Sequence, residues 1–216
     1  MKKYLILLIL FPLLCIAQIN PPYVNGWEGT TTVGWTSVTG TYNVTTEAPC
    51  VGLQSIRTRL QGNTTLGTSV LKSPNIGTTN GGLLTFSYDY KWLVNNGNIA
   101  GNPVGGQANR LDLKLQWSNS TSGPWYTFDT VDATNHTVSN TCAPRSVTFN
   151  AYAGSLFIRI VASNTNATGD HYLYIDNMNI SEGVLPTCFM PGNVRIGSKT
   201  ATQFTINWTA PTPTPT

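Results

Sequence analysis

Asp176 is the residue whose position most clearly calls for chemistry. It falls in the run YLYIDNMNI, where its alternation matches Tyr172, Tyr174, Met178 and Ile180. A strand there would turn it toward a mostly apolar side. A buried charge needs a cation or several hydrogen-bond donors. The sequence leaves both open, since a metal, backbone amides or the guanidinium of Arg159 could serve. The rest of the chain offers little bond-breaking chemistry. Acid–base hydrolysis needs two carboxylates facing one cleft, and Asp89 and Asp112 sit on the polar parity of their strands in no motif. Nucleophilic catalysis needs a base beside a Ser or Cys. The only histidines, His136 and His171, lie near Asn-rich turns with no signature around them. No paired Cys or His spacing suggests zinc. The expectation is a chain that is not an enzyme.

The start of the chain sets the compartment. Lys2 and Lys3 precede an apolar run from Tyr4 to Leu14, and Cys15-Ile16-Ala17 places small residues before a cut at Gln18. That is the build of a secretory signal peptide over residues 1–17. The run is too short for a membrane span, which needs roughly 20 apolar residues. Bulky Leu14 weakens a lipoprotein reading of Cys15. Disulfides persist outside the cytoplasm, and the expected mature chain keeps Cys50, Cys142 and Cys188. The favoured pair is Cys50–Cys142, with Cys188 left over; three free thiols are the alternative. The bridge would close a long loop, worth about 4–5 kcal/mol in the chain-entropy model.

Alternation dominates from Thr30 to Ile180. In LLTFSYDYKWL, Leu84, Phe86, Tyr88, Tyr90 and Trp92 share one face; in RLDLKLQW, Leu111, Leu113, Leu115 and Trp117 do. Each is a strand with one buried and one wet face. Further strands are expected near Leu53–Leu60, Thr68–Lys72, Trp125–Val131, Arg145–Phe149, Leu156–Ala162 and Tyr172–Ile180. Short strands between Gly, Asn, Pro and Ser clusters predict an all-β jelly-roll sandwich over residues 18–183. Val94–Asn109 reads as a long irregular loop, functional or mobile. A boundary falls near Gly183–Pro186, with a linker over 184–188. Residues 189–216 then hold two more strands, marked by Val194 and Ile196, and by Phe204, Ile206 and Trp208, before PTPTPT.

LKSPNI at Leu71–Ile76, LLTFSYDYK, LDLKLQWSNSTSGPWYTFDTV at Leu111–Val131 and LFIRIVASN…HYLYIDNMNIS at Leu156–Ser181 resemble the jelly-roll domains of secreted bacterial adhesins. These are the MAM-like, cleaved-adhesin or choice-of-anchor modules. NGWEG at Asn25–Gly29 resembles their opening strand. The resemblance implies a structural calcium between the first and last strands, with Glu28 and Asp176 as its carboxylates. Hard oxygen ligands suit that ion. Pro186–Pro211 resembles the first two strands of a fibronectin type III domain, with Trp208 as its core tryptophan. That likeness implies an incomplete immunoglobulin-like sandwich in a longer protein, a lost partner for Cys188, and a type IX secretion arrangement.

Composition fits these expectations. Charged residues are 10% of the chain, against about 25% in average soluble domains. The formal charge of +3 falls to +1 once the signal's two lysines are gone. Neither nucleic acid nor an anionic membrane is indicated, and no transmembrane segment is expected after signal cleavage. Exposed aromatics could stack on sugars. Trp92 and Trp117 follow the apolar parity and read as core; Trp35, Tyr42 and Trp125 are the candidates. Seven Asn-x-Ser/Thr sequons occur, at Asn43, Asn63, Asn119, Asn135, Asn166, Asn179 and Asn207. Asp129-Thr130-Val131 fits a loose bacterial O-glycosylation pattern. The expected function is non-catalytic: secreted or surface adhesion, or binding of an extracellular glycan or protein. The alternatives are an accessory module of a larger secreted hydrolase and a purely structural spacer.

Overall fold

The structure, a computed structural model, describes residues 21–29, 32, 34–62, 67–97, 99–104, 111–164, 169–183, 192–200, 202 and 204–209. The expected signal peptide, the linker, Cys188 and the closing PTPTPT lie outside them. The chain divides into two compact units, Met1–Glu182 and Gly183–Thr216.

The first unit is two antiparallel sheets with a shared apolar interior. The strands are β1 (Tyr23–Asn25), β2 (Thr36–Thr39), β3 (Tyr42–Thr45), β4 (Ser55–Leu60), β5 (Thr68–Lys72), β6 (Thr78–Thr79), β7 (Leu83–Asn96), β8 (Ile99–Pro103), β9 (Leu111–Ser118), β10 (Tyr126–Val131), β11 (Ala143–Asn150), β12 (Gly154–Ser155), β13 (Phe157–Asn164) and β14 (His171–Glu182). One sheet runs β11-β7-β14-β4-β3, with β1 added to β14 and β8 to β7; the other runs β10-β9-β13-β5-β2. The alternation in β7 and β9 becomes the interior: Leu84, Phe86, Tyr88, Tyr90 and Trp92 are buried with Leu113, Leu115 and Trp117, and with Leu71, Ile158 and Ile160 of β5 and β13. Burying large aromatic and branched side chains is the main favourable term here, at about 1.5–3 kcal/mol each.

An aromatic series follows β10 and β11, the end strands of their respective sheets. His136, Tyr90, Tyr88, Phe86, Phe128, Phe149 and Trp117 contact one another in that order, and Trp117 meets Tyr126 and Tyr152. Phe128 and Phe149 stack at 4.2 Å between centroids.

Three local features differ from expectation. Val94–Asn109 is not irregular throughout: β7 continues to Asn96 and turns back through Gly97 into β8, pairing Asn95 with Ala100 and Asn96 with Ile99. Gly97 makes the turn at φ 62°, a left-handed conformation that glycine adopts without a Cβ penalty. Residues 105–110 lie outside the description. The opening strand is Tyr23–Asn25, ahead of the NGWEG turn, and pairs with β14 at Ile180, Asn179 and Met178. Finally, the register between β14 and β7 slips between Asp176 and Asn179, where Asn177 has φ 48°. This bulge reverses the parity of β14. Leu173 and Ile175 before it, and Met178 and Ile180 after it, join the main core. Tyr172 and Tyr174 lie on the outer face with Leu93, Ala48 and Ala100, and Asp176 shares their parity.

The second unit, where described, is a hairpin of β15 (Gly192–Lys199) and β16 (Phe204–Thr209). Ile196 and Ile206 sit opposite one another in it, and both are exposed.

Candidate functional site

Asp176 is fully buried on the outer side of β14, and the chain itself supplies its donors. Its Oδ2 accepts the amides of Cys50 and Val51 at 3.0 and 2.9 Å, and its Oδ1 that of Asn177 at 2.7 Å. Glu28 does the same one step along the loop, accepting from Leu53 at 3.0 Å and Gln54 at 3.4 Å. Two carboxylates thus grip residues 50–54. Gly52 allows the approach: at φ 68°, a Cβ there would lie 2.0 Å from Glu28 Oε1. The non-glycine residues with positive φ among those described are Trp27, Ala48 and Asn177, and all flank this grip. Such conformations cost about 1–3 kcal/mol each and persist only where the surroundings hold them. The Cys50–Cys142 disulfide anchors the same loop to the start of β11. Lys91 lies close by, buried, with Nζ on the Pro49 carbonyl at 3.2 Å. Burial lowers its pKa, while the charge of Asp176 opposes that drop. Burial raises the Asp176 pKa, against the pull of the Val51, Asn177 and Cys50 amides.

Both carboxylates are engaged by backbone amides of the chain. The carboxylate oxygens of Glu28 and Asp176 are turned onto N–H groups, which would point their positive ends at a metal. Among the described residues, no third His, Cys, Asp or Glu joins them in a metal-holding group. Arg159 is not the partner of Asp176 either; it lies on the other sheet.

The aromatic candidates need correction. Trp35 is buried against Trp27, at 5.5 Å between centroids, and its Nε1 donates to the Tyr23 hydroxyl at 2.8 Å. Tyr42 points into the core, and burial pushes its hydroxyl pKa far up. Neither ring can meet a sugar. Both lie beside short strands whose exposed neighbours made the segment look wet. Trp125 stays half-buried, with the Arg159 guanidinium 4.6 Å from its ring centroid. The exposed rings that sequence reasoning missed are Tyr126 and Tyr152, at 41% and 67% accessibility.

An open recess of about 430 Å³ lies on the outer face of the seven-stranded sheet. Thr39, Asn43, Arg57, Arg59, Gln61 and Tyr172 line it, together with small residues of the β2–β3 turn and β5. Adjacent outward positions on β4 place the two arginines side by side. Arg57 lies 4.4 Å over the Tyr172 ring and pairs with Glu47; Arg59 pairs with Asp170. Both cations are therefore compensated. The lining contains no Asp, Glu, His or Cys. Its donors and acceptors are hydroxyls, amides and oriented guanidinium groups, which suit a neutral, hydroxyl-rich ligand.

The other polar clusters read as structural. Arg145 binds Asp129 in two places, at 2.5 and 3.2 Å, and Tyr88 donates to the same carboxylate at 2.8 Å. His136 sits between the Tyr90 hydroxyl and the Val104 carbonyl, and burial lowers its pKa.

No family model matches this chain, and no curated protein matches it. Solved structures do. A CBM22-1–GH10 fragment of Clostridium thermocellum endo-1,4-β-D-xylanase 10B, complexed with xylohexaose, aligns at TM-score 0.50 and 11% identity. The alignment covers 75% of this chain and 28% of that one. The CBM22-1 xylan-binding domain of Paenibacillus barcinonensis Xyn10C aligns at 0.47 and 18%, covering 77% and 97%. The K1 cleaved adhesin domain of Porphyromonas gingivalis Lys-gingipain aligns at 0.49 and 13%, covering 76% and 100%. At these identities the likeness concerns the β-sandwich fold alone.

Proposed function

We propose that the first unit is a non-catalytic binding module that works outside the cytoplasm and takes a saccharide in the recess on β3, β4 and β14. The observation that carries this reading is the lining of that recess. Thr39, Asn43, Gln61 and two charge-compensated arginines offer hydrogen bonds without net charge, around a rigid aromatic floor. Sugar hydroxyls need such donors and acceptors, and pre-oriented side chains lose little entropy on binding. Nothing in the lining could act as an acid–base pair, which favours holding a glycan over cleaving it. The second unit fits the opening hairpin of a fibronectin type III-like module: two paired strands with Ile196 and Ile206 exposed have an apolar face they cannot bury alone.

A glycan array probed with residues 18–183, followed by calorimetry with xylohexaose as first soluble ligand, tests this. Binding should appear on the array and weaken at least tenfold in Asn43→Ala/Gln61→Ala. A blank array with no binding to cells refutes the reading and favours a spacer. Release of reducing ends from a bound polysaccharide refutes the non-catalytic part.

A further inference from the structure

A different surface, the outer face of the five-stranded sheet, carries charge that the fold leaves uncompensated. The register places Thr36, Lys72, Arg159, Gln116 and Thr127 directly opposite one another across β2, β5, β13, β9 and β10. At about 4.8 Å between strands, this row spans roughly 19 Å. Two cations, Lys72 and Arg159, are immediate cross-strand neighbours within it. Like charges in that position destabilise a sheet. Lys114, one row along, pairs with Asp112; among the described residues, no carboxylate lies within salt-bridge distance of Lys72 or Arg159.

The way Arg159 is held separates it from Arg57, Arg59 and Arg145. Those three each face a carboxylate. Arg159 faces a neutral amide: its Nε and Nη2 both donate to Gln116 Oε1, at 2.8 and 2.6 Å. Gln116 Nε2 donates in turn to Thr127 Oγ1 at 2.9 Å, which fixes the amide with its oxygen toward the arginine. The Trp125 ring covers one side of the guanidinium. The guanidinium is thereby fixed in place while its charge is left unneutralised. Burial lowers the pKa of Arg159, as for a cation short of counter-charge. Lys72 reaches only a carbonyl, that of Thr121, at 3.3 Å.

We propose that this row binds an anionic saccharide, whose carboxylate or sulfate groups lie on Lys72 and Arg159. A fixed guanidinium whose second edge is open is suited to planar oxyanions. The threonines at both ends of the row, together with Trp125, supply the hydroxyl and aromatic contacts a sugar would use. A bare phosphate chain would have no need of these. The site is separate from the recess on the opposite sheet, and either can fail alone.

Affinity electrophoresis of residues 18–183 at low salt tests it, with polygalacturonate as the carboxylate probe, heparin as the sulfate probe and neutral xylan as control. At least one anionic polymer should retard the wild type, and the two arms tell uronate from sulfate. Arg159→Ala should weaken retardation at least tenfold. Gln116→Glu should do the same although it removes no cation, because the new carboxylate would neutralise Arg159; its melting temperature should hold or rise. Asn43→Ala/Gln61→Ala should leave anionic binding intact. Three results overturn the proposal: no retardation by either anionic polymer, undiminished binding in Gln116→Glu, or equal competition by a short DNA duplex.

Discussion

Removing the Asp176 carboxylate should loosen the first unit by a predictable amount. In Asp176→Ala, three amides lose their acceptor: Cys50, Val51 and Asn177. A buried unpaired amide costs about 1–3 kcal/mol. Cys50 is only half-buried and Val51 is exposed, so water repairs part of the loss, and the low end applies, for about 3 kcal/mol in all. Relieving the burial of the charge returns about 1 kcal/mol. The net is about 2 kcal/mol, or a fall of about 4–8 °C in Tm for a unit of this size. Differential scanning calorimetry at pH 7 measures it. The pH dependence is a second check. Because burial raises the folded pKa of Asp176, the wild type gains stability from this group as pH falls through that value. The gap between wild type and Asp176→Ala should therefore widen from pH 7 toward pH 4. Chelator and millimolar calcium should both leave Tm unchanged, since the carboxylates are taken by amides. The reasoning fails if the variant melts with the wild type, if the gap narrows in acid, or if calcium raises the wild-type Tm and not that of the variant.

Other substitutions probe the same loop and its surroundings. Gly52→Ala forces a Cβ into Glu28 Oε1 at positive φ and should cost about 2–3 kcal/mol, read by urea unfolding. Cys142→Ser should cost about 4 kcal/mol by the same assay, and increase hydrogen exchange at residues 50–54 first. Tyr88→Phe removes a buried hydrogen bond to the Asp129 carboxylate and should cost about 1.5–3 kcal/mol, read by thermal unfolding. Asp170 should titrate the opposite way from Asp176. Burial pushes its pKa up, but bonds from Arg59 and the Gly62 amide outweigh this and leave it low. Its stabilisation is complete above the unfolded carboxylate range and is lost as pH falls through the folded value. The cost of Asp170→Asn, measured by calorimetry, should therefore shrink in acid.

Strands whose two faces differ were legible in the sequence. Period-two alternation in β7 and β9 marked Leu84, Phe86, Tyr88, Tyr90, Trp92, Leu113, Leu115 and Trp117 as interior, where they lie, and the favoured Cys50–Cys142 pair is the one that forms. Parity failed at Asp176 because one residue, Asn177, adopts a left-handed conformation and slips the register. Asn is among the few residues that accept that geometry, so the signal was present but weak. Trp35 and Tyr42 misled because their burial comes from other segments of the chain, Tyr23 and Trp27 for Trp35 and the sandwich core for Tyr42. The Lys72–Arg159–Gln116 row was invisible for a related reason. Its members are 43 or more residues apart in the chain, and only strand register brings them together.

The pairing of β14 has a consequence for synthesis. β14 is the shared neighbour of β7, β4 and β1, so the centre of the larger sheet is made from the last twelve residues of the unit. A ribosome emits those residues after every other strand of the sandwich. Until then β4 and β7 have no common partner, and β1 has no sheet to join. The larger sheet therefore completes only when its final strand is released, by long-range pairing, a slow topology.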